Sequence, residues 1–251
     1  MNEMKPLISE KERIDDLQCQ GLRIISNPDV FCFGIDAVLL ANYAKAGKGK
    51  RCVDLGTGNG IIPILMSGKN VGVQYTGLEI QDKSFDLARR SVELNNLGET
   101  MTMVQGDIKE ASKLLGSACY NVVTSNPPYM LSDHGLVNPD SCKAIARHEI
   151  MCTLEDVVRE ASKLLKPRGT FYMVHRPHRL VDIISTMRKY KIEPKEIIMV
   201  HPHIDEEANI CLIQGVKCGK AFLKMKPPLV MYDSDGNYTE QMNRFISNDK
   251  R

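Results

Sequence analysis

Arg51-Cys52-Val53-Asp54-Leu55-Gly56-Thr57-Gly58-Asn59-Gly60 is the stretch on which the fold turns. Its first half is apolar and short, the length of a buried strand. Its second half puts glycine at alternate positions. That frees the backbone for a tight turn and lets it approach a ligand closely. Ile61 to Gly68 then read as a helix. Strand, glycine turn and helix open a crossover unit of a parallel sheet. The spacing is D-x-G-x-G-x-G, not the G-x-G-x-x-G of dinucleotide binding. An acid, Asp54, opens the loop, which suits a ligand carrying an ammonium group better than a pyrophosphate.

Outward from this stretch the chain keeps alternating. Strands are expected at 73–79, 101–104, 120–124 and 170–174, and helices at 83–95, 154–165 and 179–189. Two further strands, 195–200 and 208–214, have no helix between them and should pair antiparallel at an edge. The prediction is an α/β fold: a mostly parallel seven-stranded sheet with helices on both faces. Upstream, Leu22–Ile25 and Val30–Phe33 flank Ser26-Asn27-Pro28-Asp29, which predicts a short hairpin. A helix over 35–46 follows it. Residues 1–46 therefore read as an N-terminal extension packing on a domain of residues 47–251. Polar residues 130–148 read as a substrate loop.

Composition narrows the class. Hydrophobic residues at 43% and charged residues at 25% allow a buried core, which argues against wholesale disorder. A net charge of +2 is not the basic excess of a nucleic-acid coat, so an RNA partner would need a local patch. Eight cysteines without a C-x-x-C pair argue against a zinc knuckle and suit a reducing cytoplasm. The N-terminal stretch has no apolar signal core, and no run is long enough to cross a bilayer. A cytoplasmic protein without membrane attachment is expected. Its oligomeric state is not legible, a monomer being the simpler expectation.

Strand ends at one edge of such a sheet form the ligand crevice, and four of them carry suggestive residues. Asp54 opens the glycine loop. Glu79 ends the second strand about 20 residues beyond the glycines, where a carboxylate can accept ribose hydroxyls. Asp107 follows the third and could accept from an adenine amine, although Gly106-Asp107 is also an ordinary turn pair. Asn126-Pro127-Pro128-Tyr129 follows the fourth. Its two prolines stiffen the backbone and remove two donors, leaving carbonyl acceptors. The Asn126 side-chain oxygen adds another. Paired acceptors suit an NH2 group, and Tyr129 offers a ring for a planar base.

Asp54-x-Gly56-x-Gly58-x-Gly60 with Asn126-Pro127-Pro128-Tyr129 resembles the Rossmann-like class I methyltransferases that act on amino groups. Three further segments are similar to the bacterial tRNA1(Val) adenine-N6 methyltransferase family. They are Glu12–Leu17 with Phe31–Ala41, then Ala146-Arg147-His148-Glu149, then His175–Leu180 with Lys226–Val230. The resemblance implies S-adenosylmethionine as cofactor. It implies a cofactor site of Phe33, Asp36, Asp54, Gly56, Gly58, Asn59, Gly60, Glu79, Ile80, Asp107, Ile108 and Asn126. Asn126, Pro127 and Tyr129 would be catalytic. Pro128, Tyr129, Arg147, His148, Arg176 and Arg179 would meet the substrate. The implied substrate is a valine tRNA, methylated on the adenine 3′ of its anticodon. No metal is expected, because the sulfonium methyl is already activated. Ribosomal guanine-N2 and protein-glutamine methylation use the same donor geometry and remain alternatives, as does a non-catalytic RNA-binding module, against which the intact motifs argue.

Overall fold

A computed structural model describes residues 8–30, 33–127 and 152–247. Strands β3 (Arg51–Leu55), β4 (Gln74–Glu79), β5 (Met101–Gln105), β6 (Tyr120–Ser125), β7 (Leu165–His175), β8 (Ile192–His201) and β9 (Ile210–Lys217) are the seven expected ones. Two-residue strands β10 (Lys224–Met225) and β11 (Leu229–Val230) both pair with β8, making nine in all. The order runs β10-β8-β9-β7-β6-β3-β4-β5. All neighbours are parallel except that β9 runs antiparallel to both β7 and β8. The antiparallel strand is thus two places in from the edge: it slots between two strands that precede it in sequence.

The core has two layers because the strands alternate. Phe171 and Met173 of β7 pack on one face, while Tyr172 and Val174 pack on the other. Helices α1 (Ile35–Tyr43) and α2 (Ile61–Ser67) cover the second face. Pro63 stands at the third position of α2, where its missing donor lies among the first-turn groups that have no helical partner anyway. Helix α3 (Asp82–Leu94) buries Ser84, Leu87, Ala88, Ser91 and Val92 at helical spacing. Beyond the short α4 (Ala111–Leu115), α5 (Leu154–Leu164) covers the first face. Thr153 and Asp156 start α5 with a reciprocal capping box. α6 (Leu180–Lys189) packs beside it, and α7 (Glu240–Ser247) touches α1.

The N-terminal hairpin differs from expectation. Its strands are β1 (Arg13–Asp16) and β2 (Arg23–Ser26), so the partner of the Leu22–Ile25 run lies upstream of it. The turn is made by Asp16, whose carboxylate accepts from the Gln18 N–H at 2.7 Å, and by Gly21 at φ +72°. Val30 instead turns back onto the Asn27 carbonyl at 3.0 Å, so Asn27–Val30 is a turn, not a hairpin tip. Polar β1 carries no apolar alternation to reveal it. The hairpin docks on α3: Ser91 Oγ accepts from the Ile25 N–H at 3.0 Å, and Asn95 brackets Arg23 at 2.6 and 2.8 Å. Arg90 grips Glu12 with two bonds of 2.7 Å.

Candidate active site

The carboxyl ends of β3, β4, β5 and β6 meet along one edge. Asp54 is 1% exposed, and its Oδ1 accepts from the Thr124 hydroxyl of β6 at 2.6 Å. Its Oδ2 is buried without a hydrogen-bond partner. Burial pushes the Asp54 carboxyl up to about 7, against the pull of the Thr124 and the nearby Thr57 hydroxyls. A buried acceptor with a vacant lone pair is what an incoming ammonium would satisfy.

The glycines divide into two kinds. Gly56 and Gly58 take positive φ, +72° and +58°, and a side chain at Gly58 would meet nothing within 4 Å. At Gly56 it would meet Ile108 Cδ1 alone, at 3.5 Å. Both positions open a cradle that a Cβ would narrow. Gly60, at φ +89°, is different: a Cβ there would lie 3.2 Å from Met103 and 3.4 Å from Ile64. Its glycine lets α2 pack against β5. Asn59 is buried, and its amide donates to the Ile25 carbonyl at 3.3 Å, tying the loop to the hairpin.

Glu79 fastens the loop. Its two carboxylate oxygens accept from the N–H of Gly58 at 2.8 Å and of Gln81 at 2.9 Å. Each oxygen keeps a further lone pair, enough for ribose hydroxyls. Asp107 accepts from the Lys109 N–H at 2.9 Å and caps the short turn at Ile108–Glu110. Ile80 and Asp107 are half-buried beside it. Asn126 follows Ser125, whose backbone pairs with Leu55 and whose hydroxyl donates to the Leu55 carbonyl at 2.9 Å. Asn126 is partly exposed and Pro127 buried. Pro128, Tyr129, Arg147, His148 and the 130–148 loop lie outside the described residues.

The remaining candidates stand beside β7. Arg176 reaches Asp36 at 3.6 Å and donates to the Asn209 carbonyl at 2.9 Å, so these two candidate residues pair with each other. Arg179 pairs with Asp182 at 2.9 Å in the first turn of α6. Phe33 packs against the α1 face of the core. His175 is buried, and burial followed by the charge of Arg179 drives its imidazole down to about 4, so it stays neutral. Sequence reasoning missed Thr124 and Ser125. Hydroxyls that end a strand carry no distinct signal in sequence, because their bonds to Asp54 and Leu55 form only across the sheet.

The described residues fit S-adenosylmethionine: an unsatisfied acid for its amino group, an open glycine cradle, and an acid at the ribose position. Among the described residues no cluster of His, Cys, Asp or Glu is arranged to hold a metal, and no helix is long and apolar enough to cross a membrane.

The family described as the methyltransferase small domain matches residues 21–190, more than half of the chain. The chain belongs to this family. A relative from Porphyromonas gingivalis, named tRNA1(Val) (adenine(37)-N6)-methyltransferase, is 30% identical over 178 residues, 68% of this chain and 69% of that protein. Among solved structures, a predicted O-methyltransferase of Agrobacterium tumefaciens superposes with a TM-score of 0.68 at 24% identity, covering 84% of this chain and 95% of that one. The T. thermophilus 16S rRNA N2 G1207 methyltransferase superposes at 0.59 with 19% identity, covering 86% and 53%. Both structural likenesses establish the fold. As a member of the methyltransferase small-domain family, the chain is an enzyme that uses S-adenosylmethionine.

Proposed function

We propose that this enzyme methylates the exocyclic N6 of an adenine in tRNA, the adenine beside the anticodon of a valine tRNA, and that it works in the cytoplasm. The observation that carries the reading is the pairing of Ser125 with Leu55. Asn126 follows Ser125 as Gly56 follows Leu55 on the neighbouring strand, which supports a role for Asn126 and Pro127 next to the glycine loop. The name of the Porphyromonas gingivalis relative supports the choice of base and RNA.

Bound S-adenosylmethionine supplies an activated methyl group. Asp54 would hold its ammonium, Glu79 its ribose hydroxyls and Asp107 its adenine amine. Gly56 and Gly58 leave room for its backbone-hugging atoms. The Asn126 side-chain oxygen and the Pro127 carbonyl each accept one hydrogen from the target amine. This turns the nitrogen lone pair out of ring conjugation and toward the donor. Both acceptors pull harder as positive charge builds on the nitrogen, so they favour the transition state over the ground state. Alignment does the rest. The surplus proton passes to water. Tyr129 stacks on the extruded base, which costs less to extrude from an unpaired loop than from a duplex.

Mass spectrometry of tRNA nucleosides from cells with and without the gene tests the reading. N6-methyladenosine should vanish from valine tRNA alone. Loss of a methylated ribosomal guanine, or of a methylated glutamine in release factors, would replace it.

A further inference from the structure

After β9 the chain doubles back at Cys218 and runs along the outer side of β8. From Lys217 to Lys226 it reads Lys-Cys-Gly-Lys-Ala-Phe-Leu-Lys-Met-Lys, four lysines and no acid. Its backbone is tied to the sheet: the Cys218 N–H donates to the Lys191 carbonyl at 2.7 Å, and Lys226 N–H to Ile197 at 2.9 Å. Lys195 Nζ holds the Lys220 carbonyl at 2.6 Å. Lys224 and Met225 pair with Glu196 and Ile197. Lys217 anchors the start of the strap, its half-buried ammonium donating to the Ser162 hydroxyl and to the Tyr190 carbonyl, whereas every residue from 220 to 228 is exposed.

Burial should have drawn the apolar members inward. Instead Phe222 is 67% exposed, Met225 59% and Leu223 42%. Phe222 also sits at φ +146°, a region that a bulky residue avoids. Such strain persists where the surroundings impose it, and it concentrates at ligand clamps. The Lys224 ammonium lies 5.8 Å from the Phe222 ring. Among the described residues no acid pairs with Lys220 or Lys224, and Lys226 has only a 3.7 Å contact with Glu196. Unneutralised lysines interleaved with an outward ring suit a phosphodiester chain with unpaired bases.

We infer that the strap Lys217–Lys226 is a docking surface for an RNA backbone, separate from the pocket for the target base. This rests on the RNA substrate proposed above. An anionic membrane would also suit lysines and apolar side chains. RNA is favoured by continuity: the strap passes directly into β11, which pairs Leu229 and Val230 with Val200 and His201. The strap itself starts at the opposite end of β8, where Cys218 meets Lys191, and climbs along that strand; a polynucleotide that follows the chain from Lys220 past Leu229 reaches the carboxyl edge that carries Asn126.

The test uses the full chain, a transcribed valine tRNA and phosphatidylserine vesicles. In anisotropy titrations the double variant Lys220→Gln, Lys224→Gln should bind tRNA roughly fivefold or more weakly, with a log–log salt slope shallower by about 1.5–2. Phe222→Gly relieves the backbone, so its melting temperature should hold or rise while tRNA affinity drops roughly fivefold. Affinity for S-adenosylmethionine should not change in either. Wild-type tRNA affinity and slope in both variants would overturn the inference. So would a lysine effect seen with vesicles but not tRNA. Strap-dependent tRNA binding without methyl transfer would support the docking surface while overturning the proposed reaction.

Discussion

Asp54 holds a charge where charge is costly. Its folded value of about 7 lies above the ordinary 3.8, so the folded chain binds that proton more tightly than the unfolded one. Stability should therefore decline as pH rises from about 4 to about 7 and level off above. In the proposed site ligand binding runs the other way, because a cofactor ammonium held by Asp54 needs the ionised carboxylate. Affinity for S-adenosylmethionine should fall about tenfold per pH unit below 7 and be flat above it, with Asp54→Asn weak and flat throughout. Calorimetric titration at several pH values checks this, and a flat wild-type profile would contradict it. In the proposed reaction Asn126 serves the target amine, not the cofactor. Asn126→Ala should keep cofactor affinity but lower turnover by about 10²–10³. Turnover near wild type would remove Asn126 from the mechanism.

Among the elements, the hairpin is held by one largely buried ion pair besides its bonds to Ser91, Asn95 and Asn59. Glu12 is 7% exposed and Arg90 13%, and Arg90 holds the Glu12 carboxyl below its ordinary 4.5. That contribution is complete above 4.5 and is lost as pH falls through the lowered value. Arg90→Leu strands the acid and should cost about 1–3 kcal/mol, read as faster proteolysis within residues 8–26 and a lower urea midpoint. Unchanged proteolysis would show that Asn95 and Ser91 suffice. The hairpin also marks where sequence reading stops. Strands β3 to β9 were legible because apolar runs alternate with helical spacing. β1 is polar, and two-residue β10 and β11 are too short to show a period. The positions of Asp54, Glu79 and Asn126 at strand ends could be read because each lies in or just after a short apolar run. Thr124 and Ser125 could not, since hydroxyls are ordinary strand residues whose bonds to Asp54 and Leu55 exist only across the sheet.

For the whole molecule, ligand and fold are linked. Saturation at 100 times the dissociation constant adds about 2.7 kcal/mol, which for a chain of this size raises the melting temperature by about 5–11 °C. Scanning calorimetry with S-adenosylmethionine checks this; no rise would deny that the folded state binds it. The position of β9 has another outcome, felt while the chain is being made. β7 and β8 both emerge from the ribosome before the strand that must fill the gap between them. β8 is complete at His201 and β9 at Lys217, 217 − 201 = 16 residues later. At 5–20 residues per second that is roughly 1–3 seconds during which two strands expose unpaired backbone, β7 having waited longer. Nascent chains stalled before Ile210 should therefore recruit chaperones or aggregate, whereas chains stalled beyond Lys217, with room to clear the exit tunnel, should not.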